Sequence, residues 1–195
     1  MSAQPVEYFA PVDPWAVLAH LDRDPALECW RAELVEGQIS LTPQPAPEHE
    51  RIVTAVTKQL ARNDPDDTLT YWSGGTGLRI GPGAGLKPDI VVTDEDAFCE
   101  SQAEYTPVEG EPIDLVVEVT SPSTRERDYR DKMRAYAAGR VPYYLIIDRQ
   151  ERICRLYRLA AGADSYGPPH GKADFGEDLP LPDPLGFLLD TSRFA

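Results

Sequence analysis

Three apolar runs rich in β-forming residues dominate the hydrophobic pattern in the middle of the chain. They cover residues 87–93, 113–119 and 141–147, and a charged segment with helical spacing, about 126–138, lies between the last two. A strand, a helix and a strand in this order predict a crossover unit with parallel strands. The nearly continuous apolar run at 113–119 indicates a strand buried on both faces. The pattern therefore predicts an α/β fold.

Shorter segments on either side of this unit predict two more helices and further strands. Residues 14–21 are predicted to form a helix capped by Asp13, and residues 47–62 a second helix with one apolar face. The remaining predicted strands are 33–35, 38–41, 68–72, 77–80 and 152–159, and 185–189 is either a last strand or a short helix. Hairpins among them would add antiparallel neighbours, so the predicted sheet is mixed and flanked by helices.

Several connections are interpreted from their composition. Residues 73–76, Ser-Gly-Gly-Thr, are predicted to form a hairpin turn rather than a phosphate-binding loop, because no helix and no Lys-Ser/Thr pair follow. Residues 81–85 are predicted to be another loop, and the acidic and polar segment 94–111 is expected to be exposed at the surface. The alternating pattern at 152–159 predicts an edge strand.

Length and composition are those of one globular domain. The 195 residues, 42% hydrophobic and 27% charged, predict a single domain over 13–190 after a flexible arm at 1–12. Cys29, Cys99 and Cys154 fit neither a zinc site nor a disulfide framework, which favours reduced thiols. The chain begins without the features of a secretory signal and contains no bilayer-length apolar run. A cytoplasmic protein with no membrane contact is therefore expected.

Charge limits the ways in which the protein could meet nucleic acid. The net charge of −14 argues against a non-specific coat on nucleic acid, since that binding depends on cations that neutralise phosphates. A local basic face remains compatible with this charge. Arg125, Arg127, Arg130 and Arg134 surround the predicted helix at 126–138, and they would either contact backbone phosphates or form a solvated helix surface.

Two acids stand where apolar residues are expected. Asp89 and Glu118 lie on consecutive central strands, and a buried carboxylate is costly unless it is paired or bound to a metal. If the strands are neighbours, the two acids repel, and both ionise only with a cation between them. Mg²⁺ suits two carboxylates, a backbone carbonyl and waters. Lys132, on the following helix, could reach back over the pair.

Each of these residues also has a purely structural interpretation. Asp89 would end its strand and hydrogen-bond a loop, and Lys132 would form a surface pair with Asp128, worth little energetically. Such an interpretation is weaker for Glu118, because it interrupts an apolar strand. The three residues together favour a functional site.

The motifs around these residues resemble a known family. They are Lys87-Pro88-Asp89, the segment from Asp114 to Thr124, the residues Asp128, Lys132 and Tyr136, and Val141-Pro142-Tyr143-Tyr144, with Glu33-Leu34-Val35-Glu36-Gly37 and Pro47-Glu48-His49 upstream. Over roughly residues 15–187, this set resembles the Uma2 family of restriction-endonuclease-like proteins in the PD-(D/E)XK nuclease superfamily. The segment Glu118-Val-Thr-Ser-Pro-Ser-Thr is the specific part of the match, whereas the Pro-Asp pair alone is not specific.

The resemblance implies a restriction-endonuclease-like core that cuts DNA with Mg²⁺ or Mn²⁺. Asp89 and Glu118 would be metal ligands together with the Val119 carbonyl, and duplex cutting would imply a homodimer. The superfamily usually places a lysine two residues after the second acid, but this chain has Thr120 there. The resemblance and the helix geometry together move that role to Lys132.

Two further residues keep two interpretations each. Glu33 is either an additional acid near the metal or a hairpin residue with an exposed side chain. His49 is either an accessory of the site or, as its place beside the apolar helix face favours, a core-edge histidine hydrogen-bonded to the backbone.

Two functions follow from these observations. The first is a Mg²⁺-dependent endonuclease, and the second is a catalytically silent interaction protein on a nuclease-like scaffold. The charge of −14 motivates the second, because a nuclease of broad substrate range usually presents a basic surface.

Overall fold

The computed structural model describes residues 12–98 and 103–194. The predicted arm at 1–12 lies, apart from its last residue, outside this part of the chain, as does Cys99. The helices are α1 (Pro14–Arg23), α2 (Pro47–Arg62), α3 (Arg125–Arg127) and α4 (Met133–Ala138), with a 3₁₀ turn at Pro25–Leu27 and a π-helical turn at Asp128–Lys132. The strands are β1 (Trp30–Val35), β2 (Gln38–Pro43), β3 (Leu69–Ser73), β4 (Gly77–Ile80), β5 (Ala84–Leu86), β6 (Ile90–Asp94), β7 (Tyr105–Pro107), β8 (Ile113–Val119), β9 (Tyr143–Asp148), β10 (Ile153–Arg158), β11 (Gly171–Asp174), β12 (Asp178–Pro180) and β13 (Leu188–Asp190).

A six-stranded mixed sheet forms the centre of the described fold. Its strand order is β11-β10-β9-β8-β6-β3, in which only the β8–β9 pair is parallel. A five-stranded sheet in the order β2-β1-β5-β4-β7 and a β12–β13 hairpin complete the strand pairing of the described residues. The parallel crossover predicted over 113–147 is therefore confirmed, as is the α/β class with a mixed sheet.

The central sheet is buried on both faces. Side chains that alternate along its strands, such as Val117 and Leu145, pack on one face with α2 and the C-terminal segment. Their neighbours Val116 and Tyr144 pack on the other face with α4 and the five-stranded sheet. Residues 113–119 can be apolar almost throughout for this reason, since both sides of β8 leave water.

Local sequence signals set the helix boundaries. Asp13 Oδ1 accepts a hydrogen bond of 3.0 Å from the Trp15 amide, so the predicted cap of α1 is confirmed. Helix α2 begins at Pro47, where a missing amide hydrogen costs nothing, and it covers the predicted residues 47–62. Its four buried apolar residues, Ile52, Val53, Val56 and Leu60, share one face.

The predicted hairpin at 73–76 is wrong. Strands β3 and β4 flank this turn, but β3 pairs with β6 in the central sheet whereas β4 pairs with β5 and β7 in the other sheet. Gly74 and Gly75 have φ values of 78° and 140°, which L side chains rarely adopt, and they turn the chain out of the first sheet. The predicted loop at 81–85 also contains the start of β5.

Two further expectations about exposure are wrong. The acidic segment 94–111 is not exposed throughout, because it buries Ala97, Phe98, Tyr105 and Val108 and contributes strand β7. The strand at 152–159 is not at the edge, because β11 pairs with β10 on its outer side. Strand β7 pairs with β4, which is distant in the sequence, and β11 has only a weak strand pattern in its sequence.

The last segment forms a strand, β13, rather than a helix.

No helix in the described residues is both long enough and apolar enough to cross a lipid bilayer.

Asp114 on β8 predicts a dependence of stability on pH. Its Oδ2 is buried without a hydrogen bond, and burial together with the charge of Asp94 raises its pKa to about 6. Because the folded state holds this proton more tightly than the unfolded chain, stability is lost as the pH rises from about 4 through about 6. We expect Asp114→Asn to raise the free energy of unfolding by about 1 kcal/mol at pH 8, discounted for partial exposure, with little effect at pH 4. Urea unfolding at both pH values would measure this, and equal effects would contradict it.

Candidate active site

The two acids singled out in the sequence lie on neighbouring strands. Asp89 immediately precedes β6, and Glu118 follows Val117, the residue of β8 that pairs with Ile90. Each keeps about 3% of its surface exposed. The antiparallel β6–β8 pairing thus places both carboxylates at one end of the same strand pair.

Three donors hold Asp89 in an ionised state. Oδ1 accepts from Arg31 Nη1 at 2.9 Å, and Oδ2 accepts from the Val119 amide at 2.8 Å and from His49 Nε2 at 2.9 Å. Burial alone would raise the pKa of this carboxyl, but the hydrogen bond and charge of His49 and the charge of Arg31 outweigh it and hold the pKa at about 2. Asp89 is therefore a carboxylate at neutral pH.

The pKa of Glu118 is shifted in the opposite direction from that of Asp89. Its Oε1 accepts from Lys132 Nζ at 2.9 Å and from the Tyr136 hydroxyl at 2.6 Å, and Oε2 carries neither contact. Burial raises its pKa well above the usual range, and the charge of Asp89 adds to this, while Lys132 opposes it. Burial and the neighbouring acids thus favour the protonated form of Glu118, and the Lys132 ammonium favours the carboxylate.

Lys132 lies among three carboxylates. Its Nζ is 2.9 Å from Glu118 Oε1, 3.0 Å from Glu33 Oε1 and 3.5 Å from Asp128 Oδ1. Burial by itself would lower its pKa, but these acids raise the pKa above the ordinary value, so Lys132 is an ammonium. The alternative of a surface pair with Asp128 is wrong, because both side chains are buried.

A π-helical turn at Asp128–Lys132 ends at Lys132. The buried residues Asp128, Lys132 and Tyr136 follow one another at intervals of four, which places them on the same inward face. The Tyr144 hydroxyl donates to the Asp128 carbonyl at 3.0 Å, which supplies a partner for the widened turn. Turns of this kind are frequent at functional sites.

Glu33 and His49 join the same cluster. Glu33 is 1% exposed, and its Oε1 accepts from the Lys87 amide at 2.9 Å while Oε2 accepts from Arg127 Nη2 at 3.2 Å. The alternative of an exposed hairpin residue is therefore wrong. His49 is buried, but its ring bonds Asp89 rather than the backbone, so that interpretation is wrong as well.

The acids and the lysine line one cavity of about 350 Å³. Asp89, Glu118, Lys132, Glu33 and His49 all contribute to its wall, together with Arg31, Thr42, Pro43, Gln44, Pro45, Ala46, Val119, Ser121, Pro122, Ser123, Thr124 and Arg149. Thr120, at the usual lysine position of the superfamily, is fully buried beside Asp148 and outside this lining. Lys132 of the following helix, in contrast, is part of the lining.

Sequence reasoning missed Arg31. It lies two residues before Glu33 on β1, so the period of a strand places both side chains on the same face. Its ion pair with Asp89 joins residues 58 positions apart, and no local motif marks it. The strand alternation was the one available signal.

The arginines of the following helix are already engaged within the chain. Arg125 pairs with Asp148 and Glu151, Arg127 with Glu33, Arg130 with Glu126 and Asp131, and Arg134 with Glu36 and Asp131. Phosphate contacts by these residues would have to compete with the acids that they already bind. The structure thus places them in intramolecular networks.

The donor set fits a hard divalent cation with few protein ligands. Among residues 12–98 and 103–194, no three His, Cys, Asp or Glu side chains are arranged to hold a metal ion. Two carboxylates with a backbone carbonyl and waters are nevertheless a common set for Mg²⁺. Four acids (Asp89, Glu118, Glu33, Asp128) lie with Arg31, Lys132, Arg127 and His49 in one buried cluster, so the oxygen ligands that such a cation prefers are concentrated here.

Comparisons with known proteins identify the fold and the family of the chain. The chain matches a crystal structure described as a putative nuclease of DUF820 from Anabaena variabilis, with a TM-score of 0.69, 17% identity and coverage of 94% of this chain and 97% of that one. At this identity the likeness establishes the fold. No curated protein matches the sequence. The Uma2 family, described as "Putative restriction endonuclease", matches residues 20–192, and the chain belongs to this family.

Proposed function

We propose that this protein is a Mg²⁺-dependent endonuclease that hydrolyses DNA phosphodiester bonds. The observation that carries the proposal is the buried pair of Asp89 and Glu118, which face one cavity, with the Lys132 amine 2.9 Å from Glu118. Membership of the Uma2 family, with its description as a restriction endonuclease, supports nuclease activity. Asp89, Glu118 and the Val119 carbonyl are the proposed ligands of Mg²⁺ or Mn²⁺.

The residues around Asp89 prepare it for this role. Arg31, His49 and the Val119 amide fix the orientation of the carboxylate and keep it ionised, so no proton has to leave before a cation binds. Oδ1 accepts a single bond in this arrangement and retains a lone pair. When bound, the divalent cation makes an attacking water more acidic and stabilises negative charge on the phosphate.

Lys132 acts through charge rather than as a base. Its amine is protonated because three carboxylates raise its pKa, so it has no lone pair with which to accept a proton. An ammonium on the cavity wall donates hydrogen bonds to phosphate oxygens as charge develops there. Glu33 holds this amine in place at 3.0 Å, which makes Glu33 a positioning residue, and His49 does the same for Asp89.

One observation favours the second function, a nuclease-fold protein without catalysis. Asp89 already accepts three hydrogen bonds and Glu118 already pairs with Lys132, so both acids have partners without a metal. In that case the site would only stabilise the fold.

Thermal unfolding with Mg²⁺ separates the two functions. If Mg²⁺ binds with a Kd near ~1 mM, ~10 mM Mg²⁺ stabilises the protein by about 1.4 kcal/mol, a shift in melting temperature of roughly 3–5 °C. We expect this shift in the wild type and its loss in Glu118→Ala, with Mn²⁺ behaving similarly. Cleavage of supercoiled plasmid, measured with Mg²⁺ and with EDTA, tests the reaction itself. A wild type that neither binds Mg²⁺ nor cuts plasmid would exclude the endonuclease.

The predicted homodimer and the cytoplasmic location stay predictions. Cutting both strands of a duplex would take two active sites, and one chain supplies one such cavity among its described residues.

A further inference from the structure

A second and larger groove lies along the exposed face of α2. It has a volume of about 810 Å³ and is lined by Pro47, Glu50, Arg51, Thr54, Ala55, Lys58, Gln59, Arg62, Asn63, Asp190 and Arg193. Pro47 and Glu50 belong to this groove, whereas Ala46 and His49 belong to the cavity described above. The two spaces therefore open on either side of the first turn of α2.

The groove is basic in an acidic protein. Arg51, Lys58, Arg62 and Arg193 line it, against the acids Glu50 and Asp190. Most cations of the described chain are engaged in ion pairs, as for the arginines of α3 and α4, but no such pair engages Lys58 or Arg62 among the described residues. Exposed charges without an internal partner are available to a ligand, and their sign selects an anion.

The three cations that α2 contributes to the groove form one row. Arg51, Lys58 and Arg62 are seven and four residues apart, which places them on one face of the helix. With a rise of ~1.5 Å per residue, Lys58 lies about 10 Å and Arg62 about 16 Å beyond Arg51. A row of cations about 16 Å long spans several phosphates of duplex DNA, which carries one negative charge per ~1.7 Å of its axis.

We propose that this groove binds the backbone phosphates of duplex DNA on one side of the phosphodiester that enters the Asp89–Glu118 cavity. The proposal rests on the proposed function and adds the path of the substrate to it. It also accounts for how a chain of net charge −14 could hold a polyanion, since the cations are concentrated where the strand passes. Contacts of this kind position DNA without reading its sequence.

A matched pair of double variants tests the groove. Lys58→Gln/Arg62→Gln removes two cations from the groove, and Arg158→Gln/Lys172→Gln removes two exposed cations from β10 and β11, away from both cavities. Each double variant changes the net charge from −14 to −16 (two positive charges removed). All four side chains are exposed, so folding should be retained, which melting temperatures would check.

The readout is binding of a 20-base-pair duplex in EDTA, where no cleavage occurs, as a function of salt. We expect the groove variant to bind about tenfold more weakly and to lower the magnitude of the slope of log K against log salt by about two, with the control close to wild type. Equal binding by the two variants, or no salt-dependent binding by the wild type, would overturn the groove proposal. Neither result bears on Mg²⁺-dependent cleavage, which the plasmid assay measures separately.

Discussion

Glu118→Gln is expected to reduce Mg²⁺-dependent DNA cleavage by about three orders of magnitude while the protein stays folded. The amide retains the shape of the side chain and an oxygen that can accept from Tyr136, but it lacks the charge with which a carboxylate binds a divalent cation. Removing a group that stabilises charge in the transition state lowers the rate by about 10²–10³-fold. We expect the loss of a metal ligand to lower the rate by the upper value of this range. The measurement is the rate of plasmid cleavage at saturating Mg²⁺.

Asp114→Asn is the matched control for this variant. It makes the same carboxylate-to-amide change on the same strand, four residues earlier, and it does not line the cavity. Cleavage by Asp114→Asn should stay within about twofold of wild type, since stability is the property that it alters. Wild-type cleavage by Glu118→Gln would show that the reaction, if any, occurs elsewhere in the molecule.

Asp89 provides a less selective test of the same site. Its carboxylate holds Arg31, His49 and the Val119 amide, and a depressed pKa of about 2 means that its charge stabilises the folded state. Replacing it removes a proposed metal ligand and also leaves a buried guanidinium without its partner. Glu118, whose pKa is raised, contributes no such stabilisation, so its replacement separates catalysis from folding more cleanly.

The parts of the fold that sequence alone predicted are those specified by strong local patterns. The bounds of α2 follow from a proline at its first position and one apolar face, and those of β8 from seven residues buried almost throughout. The same patterns assigned Asp89 and Glu118 to consecutive central strands that could be neighbours, and β6 and β8 do pair in the structure. Because burying an unpaired carboxylate is costly, both acids were expected to have a cationic partner or a metal.

The parts that could not be predicted depend on partners distant in the sequence. Strands β3 and β4 are separated by three residues and look like a hairpin, but each gains its neighbour from another segment. The buried position of Lys132 depends on its ion pairs with Glu33 and Glu118, which come from other segments and which the pattern of its own helix does not indicate. Arg31 pairs with an acid 58 positions away, so no spacing rule identifies it.

Lys132→Met is expected to lower both cleavage and stability. Its amine is the cation nearest to Glu118, Glu33 and Asp128, and removing one partner of a buried ion cluster costs about 3–5 kcal/mol. Without the ammonium these acids hold protons more tightly when folded than when unfolded, so stability should fall as the pH rises from about 5 to 8. Cleavage should fall about 100-fold or more, because the phosphate loses its charged donor. Urea unfolding at the two pH values and plasmid cleavage measure the two effects.

The double variant Asp128→Asn/Lys132→Met separates these two effects. It removes one acid together with the amine and so restores the charge balance of the cluster, and Asp128, whose pKa is raised to about 6 chiefly by burial, is the acid farthest from Nζ. We expect most of the lost stability at pH 8 to return, whereas cleavage should remain within a few-fold of Lys132→Met alone. Asp128→Asn by itself should retain most of the wild-type rate. If the double variant cut DNA at the wild-type rate, Lys132 would serve only to neutralise buried acids, and the charge that assists the reaction would have to come from another residue of the cavity, such as Arg31 or Arg149.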